Sequence, residues 1–186
     1  MKDHRLTDQD LVAALRGNAK GTERAFTELY ARHAQRTYAF ILRMTGDAKA
    51  SEDLMQEVWL KFYDAARADV VVTNPVGFLL MIARNHCLNW KRDTKPMLSL
   101  EGLEEMTARP EEDAAELTRL INLALELLDY EYREAFVLKY YQGYDYQEMS
   151  TMTGASVDAL RNRVWRAKEK VKSALRPHFA ELGIQK

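Results

Sequence analysis

The chain has 186 residues, of which 47% are hydrophobic and 30% charged, and its formal net charge is −1. This composition is typical of a soluble globular protein with room for one large or two small domains. No apolar run is long enough to insert into a membrane, and the N-terminal residues lack the apolar core of a signal peptide. Because Cys87 is the only cysteine and the histidines lack ligand spacing, we expect no disulfide, metal or cofactor, and a reducing cytoplasmic setting.

Charge is distributed unevenly along the chain. From Ser156 to the C-terminus, lysine and arginine clearly outnumber aspartate and glutamate. Between Ser99 and Glu116 the balance reverses, since many acidic residues accompany the single cation Arg109. A nearly neutral total therefore conceals a basic C-terminal part suited to DNA and an acidic connector.

The hydrophobic residues recur at helical spacing, which predicts an all-α protein. Thr7 is the expected cap of a first helix, and a long second helix covers residues 23–43. A third helix is expected over residues 52–66, with Ser51 as its cap. Its apolar stripe leaves a polar ridge on the other side, formed by Asp53, Gln56 and Glu57.

A fourth helix is expected to begin at Asn74–Pro75, because asparagine caps helices and proline suits the first helical position. Its end is basic and contains Arg84, Asn85, Asn89, Trp90, Lys91 and Arg92. Cations beside an aromatic ring and amides suit single-stranded nucleic acid, where bases stack and backbone charge is neutralised. Taken alone, the stretch is better interpreted as a helix C-terminus enriched in cations by the helix dipole.

Residues 95–110 lose helical periodicity and gain prolines and acidic side chains. This pattern predicts a flexible acidic linker between a first domain, residues 1–94, and a second domain, residues 111–186. The second domain opens with a strongly amphipathic helix that ends at Leu128. Asp129 is then the expected cap of a helix that runs to Tyr141.

Residues 144–168 are predicted to form a helix-turn-helix. Asp145 and Glu148 have the spacing of a capping box, and Gly154 suits a sharp turn. Ser156 is the expected cap of the second helix, whose apolar face recurs at Leu160, Val164 and Ala167.

The remaining faces of that second helix are basic and carry an amide. Arg161 and Asn162 are the candidates for reading base edges, while the candidates for holding phosphates are Arg163, Arg166 and Lys168. Ser156 lies at the end that would enter the major groove. The alternative is an ordinary helical hairpin with a solvated charged face.

Three stretches in this order resemble the sigma-70 family of bacterial RNA polymerase sigma factors, in its extracytoplasmic-function group. SEDLMQEVWLKFY resembles the helix that binds the polymerase clamp, with Asp53, Gln56 and Glu57 in the D-x-x-Q-E pattern. FLLMIARNHCLNWKR resembles the segment that melts and reads the −10 element, and residues 124–171 resemble the −35-reading domain. The chain departs from the usual pattern at Asn89, Leu128–Asp129, Ser150, Thr153 and Asp158–Ala159.

The resemblance implies a transcription initiation factor with no catalytic residue, whose partners are core RNA polymerase, through its β′ clamp and β flap, and promoter DNA. An anti-sigma factor is a further partner of many family members. One alternative is a conventional helix-turn-helix regulator with a helical sensing or dimerisation domain, which would bind a symmetric site without polymerase. The other is a helical enzyme using Glu52, Asp53 and Glu57 as paired carboxylates, although no partner helix with further carboxylates or histidines is evident.

Overall fold

The computed structural model describes residues 6–68, 72–93 and 112–178, with side chains described from residue 117 in the last range. Within these ranges the structure is helical and contains no strand, as predicted. The chain divides into two compact units, Met1–Ile41 with Lys49–Pro96 and Leu42–Ala48 with Met97–Lys186. The predicted linker, residues 95–110, lies outside the described residues, so its limits stay a prediction.

The first unit is built from four helices. They are α1 (Asp8–Ala14), α2 (Ala19–Thr45), α3 (Ala48–Arg67) and α4 (Pro75–Asp93), and the boundary between the units falls within α2. Aromatic rings join α2 to α3, since the Phe26 and Trp59 ring centroids are 5.6 Å apart. Phe62 continues the core from α3 to Phe78 on α4, with 6.1 Å between the ring centroids.

Local hydrogen bonds set two of the helix starts in this unit. Thr7 and Asp10 form a capping box at α1, and Asn74 Oδ1 accepts from the Gly77 N–H at 2.9 Å at the start of α4. The predicted cap at Ser51 is wrong. Helix α3 begins three residues earlier, at Ala48, and Ser51 is fully buried inside it. Packing against the core has therefore overridden the capping preference of serine.

The second unit contains α5 (Glu112–Glu126), α6 (Tyr130–Phe136), α7 (Tyr146–Thr153) and α8 (Val157–Leu175), followed by a 3₁₀ turn, Arg176–His178. Helix α8 packs against α5, α6 and α7. The fully buried side chains of this unit include Leu125, Leu138, Met149 and Leu160. The core thus holds α8 along its apolar stripe and leaves its other side to solvent.

The helix predicted up to Tyr141 changes form before it ends. After α6, the residues Val137–Tyr141 make a π-helical turn, in which the Gln142 N–H donates to the carbonyl oxygen of Val137 at 3.0 Å. Asp129 precedes α6 but its carboxylate makes no capping bond, contrary to the prediction. The carboxylate instead lies 3.5 Å from Lys170 Nζ on α8, as an exposed ion pair.

Candidate functional site

The polar ridge predicted on the third helix is an exposed surface of α3. Asp53, Gln56 and Glu57 are exposed, while Leu54, Met55 and Val58 on the opposite side are buried. Because these positions repeat at helical spacing, the polar groups form one stripe, which we call the α3 ridge. Leu60 extends this ridge by one turn and is 65% exposed, a feature that the sequence analysis missed.

One member of the α3 ridge is tied to the neighbouring helix. Glu57 Oε2 lies 3.0 Å from His86 Nδ1 on α4. The carboxylate is more exposed than the imidazole, so Glu57 keeps a face toward solvent. Since His86 follows Asn85, this contact joins the α3 ridge to the basic end of α4.

The candidate residues on α4 do not all share one face. Asn85, Asn89 and Arg92 are exposed and recur at i, i+4 and i+7, so they form a single stripe, here called the α4 stripe. Lys91 is also exposed but flanks that stripe. The guanidinium of Arg92 lies 3.0 Å from the carboxylate of its neighbour Asp93.

Trp90 and Arg84 lie away from the exposed stripe. Trp90 lies seven residues after Ala83 and three after Cys87, which are both buried, so it shares their side of the helix. Its side chain is half-buried. Arg84 is also half-buried, and its Nε is shielded from solvent. The structure therefore brings Asn85, Asn89 and Arg92 together and sets these two residues apart from them.

The helix-turn-helix forms as the capping residues predict. Asp145 Oδ1 accepts from the N–H groups of Gln147 and Glu148, both at 2.8 Å, and Glu148 Oε2 accepts from the Asp145 N–H. Gly154 has φ +75°, which a glycine adopts without steric cost. Ser156 Oγ accepts from the Ala159 N–H at 3.2 Å and begins α8.

Two departures from the family pattern stabilise the turn by hydrogen bonds. Ser150 Oγ donates to the carbonyl oxygen of Ala155 at 2.7 Å. Thr153 Oγ1 donates to the Met149 carbonyl oxygen at 2.8 Å and accepts from the Ala155 N–H at 3.2 Å. Both hydroxyl groups act within the turn and do not face outward to a groove.

The basic residues of α8 divide between two environments. Arg161, Asn162 and Lys168 are exposed, as predicted for a DNA-reading surface. Arg163 is instead held by Glu131 on α6, with 2.7 Å between its NH2 nitrogen and the carboxylate. Arg166 stays exposed, and its NH1 nitrogen lies 3.4 Å from the hydroxyl oxygen of Tyr132.

Trp165 is a surface residue that the sequence analysis missed. It is 63% exposed in the middle of α8, although tryptophan normally buries most of its ring. The signal was present in the sequence, because Trp165 lies four residues after Arg161 and outside the apolar positions Leu160 and Val164. We call Arg161, Asn162, Trp165 and Lys168 together the α8 face.

The residues and helices of the described ranges show neither a metal-binding nor a membrane-spanning feature. Among these residues, no group of three or more histidine, cysteine, aspartate or glutamate side chains is arranged to hold a metal ion. In the same part of the chain, no helix has the length and apolar content needed to cross a membrane.

Two family profiles match the chain in the order that the resemblance predicts. Sigma-70 region 2 matches residues 29–96, which include the α3 ridge and the α4 stripe. Sigma-70 region 4 matches residues 118–171, which include the α8 face. The alternative of a conventional regulator is not favoured, because the region 2 match accounts for the first half of the chain.

Curated relatives match over most of their length. The RNA polymerase sigma factor CarQ of Myxococcus xanthus is 30% identical over 159 residues, which cover 83% of this chain and 91% of CarQ. The ECF RNA polymerase sigma factor SigL of Mycobacterium tuberculosis is 27% identical over 180 residues, covering 93% of this chain and 99% of SigL.

Solved structures share the fold. The sigma factor RpoE of Bartonella quintana, crystallised with the anti-sigma factor NepR, gives a TM-score of 0.69 at 19% identity and covers 82% of this chain and 98% of its own. CnrH, solved in complex with the cytosolic domain of CnrY, gives a TM-score of 0.64 at 26% identity and covers 91% of this chain and 97% of its own. With both sigma-70 regions matched, this chain belongs to the extracytoplasmic-function group of the sigma-70 family, as a transcription initiation factor that binds core RNA polymerase and directs it to promoters.

Proposed function

We propose that three surfaces divide this function: the α3 ridge binds core polymerase, the end of α4 binds the −10 element, and α8 binds the −35 element. The observation that carries the proposal is the α3 ridge itself. Asp53, Gln56 and Glu57 expose their polar groups together, on a helix whose other side is buried. The three residues also occupy the D-x-x-Q-E positions of the family pattern. The β′ clamp is the proposed partner of this ridge.

At the −10 element, Asn85 and Asn89 are the proposed readers of unpaired bases. Their amides are exposed one helical turn apart, and an amide can pair with an exposed base edge. Lys91 and Arg92 are proposed to neutralise phosphates. Arg84 and Trp90 also belong to the proposed −10 surface, and their partial burial favours a supporting contact over stacking on an extruded base.

At the −35 element, Arg161 and Asn162 are the proposed base readers. Ser156 begins α8 at the end proposed to enter the groove, where a helix N-terminus also favours phosphate. Lys168 and Arg166 are proposed to hold phosphates, and Trp165 to pack its exposed ring against a base edge such as the thymine methyl group. For Arg163 the proposed phosphate contact requires competition with Glu131, which already binds its guanidinium.

Further proposals concern partners and location. The β flap is the proposed second polymerase contact, by way of the region 4 unit. An anti-sigma factor is a proposed inhibitor, because many members of this family have one. We assign the protein to the cytoplasm, where polymerase and promoters are found.

In vitro transcription with bacterial core polymerase tests the proposal. Charge reversal of the α3 ridge, Asp53→Lys with Glu57→Lys, is expected to abolish co-purification with core enzyme and transcription from every promoter. The matched control is Glu23→Lys, which reverses an exposed charge on α2 and should leave both unchanged. Helical content and melting temperature should stay close to those of the unaltered chain in all variants.

The α4 variants separate docking from promoter melting. Asn85→Ala with Asn89→Ala should preserve binding to core polymerase and reduce open-complex formation on duplex promoters. The defect should shrink on a promoter with a pre-melted −10 region if these amides mainly assist melting, and persist if they read bases. Full activity of the α3 double variant, or of the α4 double variant on duplex DNA, would contradict the corresponding assignment.

A further inference from the structure

Asp158 places a carboxylate at the front of α8. It is the second residue of the helix, and its side chain is 92% exposed. Its Oδ1 accepts a hydrogen bond from Arg161 NH1 at 3.2 Å, and among the described residues Oδ2 has no partner. Asn162 lies one turn further along the same side of α8. A carboxylate therefore stands beside the two proposed base readers and faces solvent.

Arg161 is held on a second side by an aromatic ring. Its guanidinium carbon lies 5.6 Å from the ring centroid of Tyr146 on α7, within the range of a cation–π contact. The ring of Tyr146 is itself positioned by Lys139, whose Nζ lies 4.8 Å from the same centroid. Asp158 and Tyr146 therefore flank the exposed guanidinium on two sides.

A carboxylate at this place has an electrostatic cost for DNA binding. It repels phosphate, whereas the rest of the exposed α8 surface is mainly basic. Its oxygens only accept hydrogen bonds, and the donors in the major groove are the amino groups of cytosine and adenine. Guanine and thymine present acceptors there, so a carboxylate beside them is repelled. The same group thus disfavours some bases and favours others.

We propose that Asp158 is a specificity-determining residue of the −35 interface. It positions Arg161 to bind a guanine. At the adjoining base position, on the strand that Asp158 faces, its carboxylate selects cytosine or adenine over guanine or thymine. This inference rests on the proposed role of α8 as the −35 reader. It accounts for an acidic side chain at a position where the family pattern has glycine.

The test is transcription by the full chain with core polymerase on a promoter library randomised in the −35 element. Asp158→Ala is expected to lose about tenfold discrimination at one base position, through increased use of promoters that carry guanine or thymine there. Asp158→Asn should lose most of that discrimination as well, since its amide accepts and donates. Glu169→Gln is the matched control: it neutralises an exposed acid farther along α8 and should leave the base preference unchanged.

The double variant Asp158→Ala with Arg161→Ala separates positioning from a general structural effect. If Asp158 positions Arg161, the change in base preference of the double variant differs from the sum of the changes in the two single variants. A structural defect instead lowers transcription from all promoters alike. Unchanged base preference in Asp158→Ala, or an equal change in Glu169→Gln, would overturn the inference. If Arg161→Ala alters the preference and Asp158→Ala does not, only this inference fails. If no α8 variant alters it, the proposed −35 role of α8 fails too.

Discussion

At the scale of single residues, Arg133 on α6 forms hydrogen bonds with the end of α5. Its guanidinium donates to the carbonyl oxygens of Leu125 at 3.0 Å, Glu126 at 2.7 Å and Leu128 at 3.4 Å. The carbonyls of Leu125 and Glu126 belong to the last turn of α5 and that of Leu128 follows it, a place where carbonyl groups lack intrahelical donors. Burial lowers the pKa of Arg133, yet a guanidinium stays protonated in proteins, so the hydrogen bonds remain charge-assisted.

Arg133→Met is expected to lower the free energy of unfolding by about 2–3 kcal/mol, because several partly buried carbonyls lose a charged donor. The same substitution at Arg163 is the control. Arg163 bonds to the exposed carboxylate of Glu131, and such ion pairs contribute about 0–1 kcal/mol. Urea denaturation of both variants measures the difference. Equal losses would show that Arg133 is not the main donor at this junction.

Glu126 gives the region 4 unit a pH-dependent stability. Burial raises the pKa of its carboxyl, and the positive charge of Arg133 opposes that shift. Because the pKa is raised in the folded state, the stability that this carboxyl contributes is fully present at low pH, where the group is protonated. That contribution is lost as the pH rises through the pKa of the folded state. At neutral pH the ionised Glu126 is therefore destabilising.

Glu126→Gln is expected to raise the melting temperature near neutral pH. The gain should shrink as the pH is lowered from neutral into the acidic range, because the carboxyl of the unaltered chain then becomes protonated. Thermal denaturation across this range checks the sign. A gain that grows toward low pH would contradict the assigned direction of the pKa shift.

At the scale of elements, the α7–α8 turn depends on one backbone conformation and two hydroxyl groups. Gly154 has φ +75° with no atom within 4 Å of a would-be Cβ, so a substitution there would be strained by its backbone alone. Ser150 and Thr153 then fix the turn through hydrogen bonds to Ala155 and Met149. These local contacts act together with the packing of α8 on α5 and α6 to set the orientation of α8 relative to α7.

Gly154→Ala is expected to lower the free energy of unfolding by about 1–2 kcal/mol, the cost of a left-handed conformation for an L-residue. Gly154→Asn should lose less, because asparagine tolerates that region. Both variants can be compared by urea denaturation. Equal losses for alanine and asparagine would contradict backbone strain as the cause of the effect.

At the scale of the whole molecule, the proposed function divides its tasks between two units. Polymerase docking and −10 binding are assigned to the first unit, and −35 reading to the second. The domain limits, residues 1–94 and 111–186, stay a prediction because the intervening residues are not described. Their acidic, proline-containing composition is the basis for that prediction.

Limited proteolysis with a glutamate-specific protease is expected to cut after Glu101, Glu104 or Glu105 and release two stable helical fragments. Trypsin is the matched control. It should cut the same linker poorly, because Lys95 and Arg109 both precede proline and are poor trypsin sites. Circular dichroism of the separated fragments measures their helical content. One fragment that resists the glutamate-specific protease would indicate a single fused domain.

The sequence by itself determined the helical elements and several of their starts. The capping boxes at Thr7 and Asp145, the Asn74 cap and the turn at Gly154 were predictable, because each rests on contacts between residues a few positions apart. The buried stripes were predictable for the same reason, since helical spacing alone separates an apolar face from a polar one. The three candidate surfaces followed from these patterns together with the family resemblance.

Only the tertiary structure decided which of these side chains are available to a partner. Arg163 is bound by Glu131 and Glu57 by His86, each across two helices, while Arg161 is directed partly by Tyr146. Asp129 and Ser51 likewise take roles that their capping preferences do not predict. Such contacts join residues far apart in the chain, and local spacing carries no information about which helices will pack together.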